Sequence, residues 1–259
     1  QRARVKSQPI ARYGELNSMM TWAETAAKNE GITREEADEW SVRSHARAVA
    51  AQEQGKFEQE IVAIPLRGPK GQETLFNADE TPRAGTTVEK LAKLNTVYPD
   101  GVCTAGNSSS ENDGAAAVVL ASESKARELG LPMLVRFKAG AHGACDPTLT
   151  YPAVDIAVKG ALAKAGLGID QVGLFEIQEA FAVQLLADAK LMGIKRGDYD
   201  RKINVNGSGI SLGHPIGATG VMRLVTLINQ MRRQGEQYGL ETICGGGGQG
   251  VAAVFELAQ

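Results

Sequence analysis

Cysteine is scarce in this chain, with three residues in 259, namely Cys103, Cys145 and Cys244. Their odd number and wide spacing exclude a disulfide framework and a Cys-x-x-Cys metal site. Three scattered histidines likewise give no metal-ligand cluster. We therefore expect no metal site and a reducing compartment, with the cytoplasm as the simplest location.

An excess of charge of one sign is also lacking. The sequence holds 28 basic and 30 acidic residues, for a formal net charge of −2, and this balance gives no electrostatic basis for binding nucleic acid. No apolar run approaches the roughly 18 residues that a membrane helix needs, so no membrane span is expected. A hydrophobic content of 43% is ordinary for a globular protein.

Glycine, in contrast, is abundant and concentrated. Ten of the 30 glycines lie in two stretches near the C-terminus, residues 204–220 (NVNGSGISLGHPIGATG) and 243–250 (ICGGGGQG). Glycine allows a backbone to bring N–H groups close to a ligand. His214 lies in the first stretch and Cys244 in the second, so an imidazole and a thiol accompany backbone donors. This combination indicates acyl-transfer chemistry with a backbone oxyanion site.

Hydrophobic periodicity predicts a layered α/β architecture after a charge-rich first hundred residues. A capping box, Thr33 with Glu36, opens a helix that ends at Gly55. Further helices are predicted over residues 152–165, 179–192 and 218–233, the last with Val221, Leu224, Val225 and Ile228 on its buried face. Strands are predicted over residues 61–65, 115–120, 133–137, 172–177, 203–205, 240–243 and 251–257, and residues 67–87 are predicted as loop.

Five motifs, in the same order along the chain, resemble those of the thiolase family, the acetyl-CoA acetyltransferases and 3-ketoacyl-CoA thiolases. They are residues 19–24 (MMTWAE), 31–65, 104–115 (TAGNSSSENDGA), 176–181 (EIQEAF) and the two glycine stretches taken together. The resemblance covers nearly the whole chain. It implies the C-terminal half of a thiolase-like fold, layered αβαβα, together with a mixed α+β loop domain.

The same resemblance implies a division into three parts. Residues 1–111 would form a loop domain that covers coenzyme A and builds the oligomer. Residues 112–145 would end the N-terminal thiolase half, and residues 146–259 would form the C-terminal domain. A homodimer or homotetramer is expected.

The resemblance also implies catalytic roles for four residues. His214 would activate a nucleophilic cysteine and donate to the thioester oxygen. Cys244 would exchange a proton with the α-carbon or with the thiol of CoA. Apart from the resemblance, a thiol beside backbone N–H donors can have a lowered pKa and act as acid or base. Gly246 would offer its N–H to the acyl-enzyme oxyanion. Gln178 stands where the family usually has asparagine, and it would position a water, unless it only caps the following helix.

Contacts with coenzyme A thioesters are implied for six residues, which are Met19, Arg83, Ala105, Ser109, Ala180 and Phe181. Arg83 could equally be a solvated surface arginine, and Ala180 with Phe181 could be ordinary core. No metal or redox cofactor is expected beyond the CoA substrates.

The family's nucleophilic cysteine belongs to an N-terminal segment that nothing in this sequence matches. We therefore expect it on a further segment of the same protein or on a partner chain. Two other functions stay open at this point. One is a cysteine hydrolase or transferase with Cys244 as its nucleophile, and the other is a non-catalytic or partner-dependent subunit that binds acyl-CoA.

Overall fold

The computed structural model describes residues 10–13, 18–69 and 71–258. The first part of the chain is mainly helical. Its elements are α1 (Ile10–Tyr13), α2 (Met19–Glu30), α3 (Arg34–Glu53), the antiparallel pair β1 (Ile64–Arg67) and β2 (Glu73–Phe76), and α4 (Val88–Leu91). Residues 1–9, 14–17 and 70 of the predicted loop domain lie outside the described ranges. The two predicted domain boundaries, after residues 111 and 145, stay predictions.

The second part of the chain is built on a four-stranded sheet. Its elements are α5 (Glu123–Glu128), β3 (Val135–Ala144), α6 (Pro152–Ala165), β4 (Leu174–Ile177), α7 (Ala182–Leu191), α8 (Tyr199–Lys202), α9 (Gly209–Leu212), α10 (Thr219–Gln234), β5 (Tyr238–Gly245) and β6 (Gln249–Leu257). The strand order is β3-β6-β5-β4. The β4–β5 pair is parallel, and the other two pairs are antiparallel.

Helices cover both faces of this sheet, because alternate side chains of each strand point to opposite sides. Phe175 and Ile177 of β4 join the large core cluster that contains residues of α2, α6 and α7. The side chain of Leu174, the neighbour of Phe175 in β4, points to the opposite face and packs with Leu227 and Met231 of α10. The predicted α/β class is therefore confirmed, with α6 and α7 on one face and α10 on the other. No helix in the described ranges is long and apolar enough to cross a membrane.

The longer helices agree with their predictions to within a few residues. Both halves of the Thr33–Glu36 capping box are formed. The helix predicted over residues 152–165 matches α6, and Gly166 follows it in the left-handed conformation. The face predicted for α10 was partly wrong, since Val221 and Val225 remain partly exposed. Its most buried positions instead include Arg223, Leu227 and Met231.

Several strand predictions were displaced. The strand predicted over residues 61–65 begins at Ile64, and the predicted loop that follows contains β2. The strand predicted over residues 133–137 begins at Val135 and continues to Ala144. Its second half, Lys-Ala-Gly-Ala-His-Gly-Ala, is poor in β-branched residues, so propensity alone did not indicate a strand. Residues 203–205 form only isolated bridges, among them a parallel one between Ile203 and Phe175.

The buried strand predicted over residues 115–120 was wrong. The segment has no regular structure, and Val119 and Leu120 are 88% and 84% exposed. An apolar run becomes a strand only where a neighbouring strand accepts its backbone hydrogen bonds. No strand in the described part of the chain pairs with these residues.

The helix predicted from residue 179 begins three residues later, at Ala182, because the side chain of Glu179 forms hydrogen bonds with distant segments of the chain. This carboxylate is fully buried and accepts four hydrogen bonds. The donors are Trp40 Nε1 at 2.9 Å, Ser44 Oγ at 2.6 Å, Asn204 Nδ2 at 3.0 Å and the backbone N of Ile210 at 3.1 Å. One side chain thus joins α3 to the start of the first glycine stretch, at Asn204 and Ile210.

Close packing between the sheet and α6 depends on Gly143 in β3. A Cβ built at this position would collide with the backbone carbonyl oxygen of Ala153 in the first turn of α6. Backbone atoms cannot move aside as a flexible side chain can. The absence of a side chain at Gly143 therefore sets how closely α6 approaches the sheet.

We expect Gly143→Ala to lower the free energy of unfolding by about 3 kcal/mol, because the new methyl must push α6 away from β3. Gly197→Ala is the matched control, since a Cβ there meets nothing within 4 Å. Urea unfolding followed by circular dichroism measures both. Equal stability of the two variants would contradict this account of the packing.

We expect Glu179→Gln to cost about 3 kcal/mol of unfolding free energy, because an amide places N–H groups against groups that are themselves donors. Glu39→Gln, on the exposed side of the adjacent helix α3, serves as its control. The same unfolding assay applies. A loss below about 0.5 kcal/mol would show that the four donors find other partners.

Candidate active site

Three of the segments that carry predicted catalytic residues end at the same edge of the sheet. Gln178 follows β4, and Cys244 lies at the end of the parallel strand β5. The first glycine stretch follows Ile203, which bridges Phe175 in parallel orientation. Ligands of α/β proteins bind at the carboxyl ends of parallel strands, where such loops meet.

His214 is held on its loop by backbone and side-chain contacts. Its N–H donates to Ser110 O at 3.1 Å and to Asn112 Oδ1 at 3.2 Å. Its ring Nδ1 lies 2.7 Å from the hydroxyl of Thr219, at the start of α10. Nε2 has no hydrogen-bond partner within the described ranges and is the ring atom left for chemistry.

The backbone before His214 requires glycine. Gly213 has φ = +83°, a conformation that other residues rarely adopt. A Cβ there would also collide with the side-chain amide of Asn112. Asn112 therefore occupies the space that glycine leaves and reaches the His214 backbone from it.

Burial lowers the pKa of His214 below its usual value, and the positive charge of Arg223 adds to the effect. The imidazole is consequently neutral at neutral pH, the form that can accept a proton. Thr219, Asn112 and Arg223 were not predicted as part of the site. Of the three, only Thr219 lies close enough to His214 in the sequence for the sequence to have suggested it.

Cys244 is partly buried and packs against the core cluster that also includes Ala180 and Phe181. Burial of its thiol is the main cause that raises its pKa, to about 12, and the nearby Asp188 charge adds to the shift. The lowered pKa expected from neighbouring N–H donors was therefore wrong. Desolvation outweighs the backbone donor, so Cys244 is a protonated thiol at neutral pH.

Gln178 is 3% exposed, and neither atom of its side-chain amide has a hydrogen-bond partner in the described part of the chain. Its backbone N donates to Thr242 O at 3.1 Å, two residues before Cys244. A Cβ at Gly209 would come 2.5 Å from its Nε2, so the amide lies against the first glycine stretch. The alternative role in capping was wrong, since the N-cap of α7 is Phe181 and has no side-chain cap.

The second glycine stretch lies beside α2. A Cβ at Gly246 would be 3.3 Å from Met19 Sδ and 3.4 Å from the ring of Trp22. Ser109 donates its N–H to Ala180 O at 3.0 Å, and Ser108 forms an isolated antiparallel β-bridge with Phe181. The structure thus brings Met19 to Gly246, and the 107–112 segment to both Ala180 and His214.

Ala105 and Arg83 are exposed. Arg83 donates its backbone N–H to His45 Nδ1 at 3.2 Å. Burial, with the added charge of Arg83, lowers the pKa of His45 to about 4. No contact joins Arg83 to the other five predicted CoA residues within the described ranges.

An open depression of about 730 Å³ lies beside His214. Residues 111–116 line one side of it, and residues 214–218 with Val221 line the other. Of the four predicted catalytic residues, its lining includes His214 alone. Among the described residues, no group of three His, Cys, Asp or Glu side chains is placed to hold a metal ion.

Two family models match this chain. The model described as "Thiolase, N-terminal domain" matches residues 9–124, and the one described as "Thiolase, C-terminal domain" matches residues 131–257. Together they account for nearly the whole chain. The resemblance read from the motifs is thereby confirmed.

Curated relatives agree with the family models. An acetyl-CoA acetyltransferase of Pseudomonas aeruginosa is 48% identical over 231 residues, which are 89% of this chain and 58% of that protein. A 3-ketoacyl-CoA thiolase of Pseudoalteromonas translucida is 45% identical over 244 residues, 93% of this chain and 62% of that protein. The chain thus spans about 60% of the length of these relatives.

Solved structures show the same fold. The crystal structure of the Bacillus anthracis acetyl-CoA acetyltransferase matches with a TM-score of 0.88 at 41% identity, covering 93% of this chain and 60% of that one. The human mitochondrial 3-ketoacyl-CoA thiolase matches with a TM-score of 0.84 at 36% identity, covering 92% and 59%. The shared motifs, the two matching family models and the common fold together establish that this chain belongs to the thiolase family.

Proposed function

We propose that the protein to which this chain belongs is an acyl-CoA:acetyl-CoA C-acyltransferase. It would make or cleave 3-ketoacyl-CoA by reversible Claisen chemistry through an acyl-cysteine intermediate. The observation that carries the proposal is that Gln178, Cys244 and the start of the glycine stretch that later carries His214 lie at the same edge of the sheet. The names of the relatives, which are acyltransferases, support the same activity.

His214 is the proposed base that activates the nucleophilic cysteine. Its imidazole is neutral, and Thr219 holds Nδ1, so Nε2 is available to take the proton of a thiol. The resulting thiolate attacks the carbonyl carbon of the acyl-CoA, and the thiolate of CoA leaves. Nε2–H can then donate to the thioester oxygen that carries the negative charge of the enolate.

Cys244 is the proposed proton donor and acceptor at the α-carbon. A thiol whose pKa is raised to about 12 suits the cleavage direction, in which it gives a proton to the enolate carbon of departing acetyl-CoA. The same value argues against the rival function with Cys244 as the nucleophile, because the thiolate is the nucleophilic form.

Gln178 and Gly246 complete the proposed catalytic set. A buried amide with no partner in the described part of the chain calls for a water or a ligand, and Gln178 is suited to hold a water near the enolate oxygen. Gly246 would donate its N–H to the acyl-enzyme oxyanion. The proposed chemistry uses no metal or redox cofactor, only CoA thioesters, which Met19, Arg83, Ala105, Ser109, Ala180 and Phe181 would contact.

The nucleophilic cysteine itself is proposed to come from outside these 259 residues. Ala115 and Ala116 line the depression beside His214, and Val119 and Leu120 farther along the same segment are exposed; we propose that the part carrying the cysteine covers this segment. A homodimer or homotetramer in a reducing compartment such as the cytoplasm is the proposed state. The alternative is a partner-dependent subunit that binds acyl-CoA without turnover.

We expect His214→Asn to reduce the kcat for thiolysis of a 3-ketoacyl-CoA by a factor of about 100 or more, because a general base is lost. The assay uses the protein as expressed, after its intact mass has been compared with the 27.4 kDa of this chain. His142→Asn, on the exposed edge of β3, is the matched control.

Each result of this assay has a defined meaning. Turnover that depends on His214 but not on His142 supports the acyltransferase. Absence of turnover together with calorimetric binding of acetyl-CoA supports the partner-dependent subunit. Full activity of His214→Asn, or neither turnover nor binding in the unsubstituted protein, would overturn the proposal.

We expect the rate of Cys244 alkylation by iodoacetamide to rise about tenfold per pH unit from pH 7 to pH 10 without a plateau. A pKa of about 12 keeps the thiolate a small fraction throughout this range. Peptide mass spectrometry at several pH values measures the rate, and His214→Asn should leave it unchanged. A plateau below pH 8 that is lost in His214→Asn would support Cys244 as a His-activated nucleophile instead.

A further inference from the structure

A buried arginine lies beneath the loop that carries His214. Arg223, in the second turn of α10, is only 2% exposed. Its Nη2 donates to the backbone carbonyl of Gly213 at 3.0 Å, and its Nε has no partner in the described part of the chain. Burying a guanidinium with an unused donor costs free energy, so packing alone does not account for this residue.

One buried and one partly buried glutamate of the sheet lie on the same side as Arg223. Glu176 and Glu241 are direct neighbours on the parallel strands β4 and β5, on the face that α10 covers. Glu241 Oε1 would be 3.5 Å from a Cβ at Gly220, in the first turn of α10. Oε2 of Glu176 has no hydrogen-bond partner among the described residues.

Burial changes the charge that these carboxyl groups carry. It raises the pKa of Glu241 to about 8 and that of Glu176 well above its usual value, and Arg223 opposes both shifts. Glu60 and Asp79, which approach from the loop region, show raised pKa values for the same reason. At neutral pH Glu241 is therefore largely protonated, and the raised pKa of Glu176 acts in the same direction, so these two carboxyl groups cancel less of the arginine charge than two full carboxylates would.

Arg223 acts on His214 in two ways, by its hydrogen bond to the preceding residue and by its positive charge. Gly213 directly precedes His214, so fixing its carbonyl fixes one end of the backbone that carries the imidazole. Asn112 and Ser110 hold the N–H of His214 on the other side of the same peptide. Glu111 and Asp113, the other ionisable groups lining the depression, are exposed to solvent, where their charges are screened.

We propose that Arg223 is a positioning residue for His214, which fixes the Gly213 carbonyl directly before His214 and places a buried positive charge beneath the loop that carries the imidazole. The role of His214 as a base rests on the proposed function. The positioning itself does not, since it concerns the protonation of one side chain in the substrate-free protein. The arginine acts through His214 and touches no reacting atom.

NMR titration of the histidine side chains tests this proposal without any need for turnover. We expect Arg223→Gln, which keeps a hydrogen-bond donor but removes the charge, to raise the titration midpoint of His214 by about one pH unit. Arg223→Lys, which keeps the charge, should leave the midpoint near that of the unsubstituted protein. Arg232→Gln, at an exposed position on the same helix, is the control and should shift nothing.

His45 provides an internal reference in every sample, because the charge that acts on it is that of Arg83 and its pKa of about 4 should not move. A folded Arg223→Gln protein with an unchanged His214 midpoint would overturn the proposal. If that variant does not fold, Arg223→Lys decides, since a His214 midpoint raised to the ordinary imidazole value would also overturn it. A failure of the thiolysis assay with the expected shifts would reject the proposed function and leave the positioning intact.

Discussion

The carboxylate of Glu179 is the contact on which the arrangement of the site depends. It is completely buried, and its four donors come from a helix of the first part of the chain, from the turn after Ile203 and from the first glycine stretch. A carboxylate inside a protein is stable only when its oxygens are satisfied by hydrogen bonds. These segments are therefore held at fixed relative positions, and the loop that leads to His214 starts from this point.

Burial shifts the pKa values of the two groups proposed to move protons in opposite directions. It favours the neutral form in both cases, so it lowers the pKa of His214 and raises that of Cys244. The imidazole is thereby able to accept a proton while the thiol is able to give one. Burial thus favours the neutral form of both the proposed base and the proposed acid.

Several features of the fold could be read from the sequence because they depend on residues close together in the chain. The capping box at Thr33 and the left-handed glycine after α6 are local, and both form as predicted. The strand predicted over residues 115–120 failed because a strand needs a partner that local sequence does not contain. Gln178 was identified by its place in a motif, but only the folded chain showed that its amide has no partner among the described residues.

The sequence by itself determined the family, the α/β class and the histidine and cysteine on their glycine stretches, because motifs and periodicity are properties of neighbouring residues. Only the tertiary structure decided the protonation state of Cys244, the four bonds to Glu179 and the placement of Arg223 beneath Gly213. Each of these depends on desolvation or on hydrogen bonds between residues far apart in the chain. Such effects exist only after packing has excluded water and brought distant segments together.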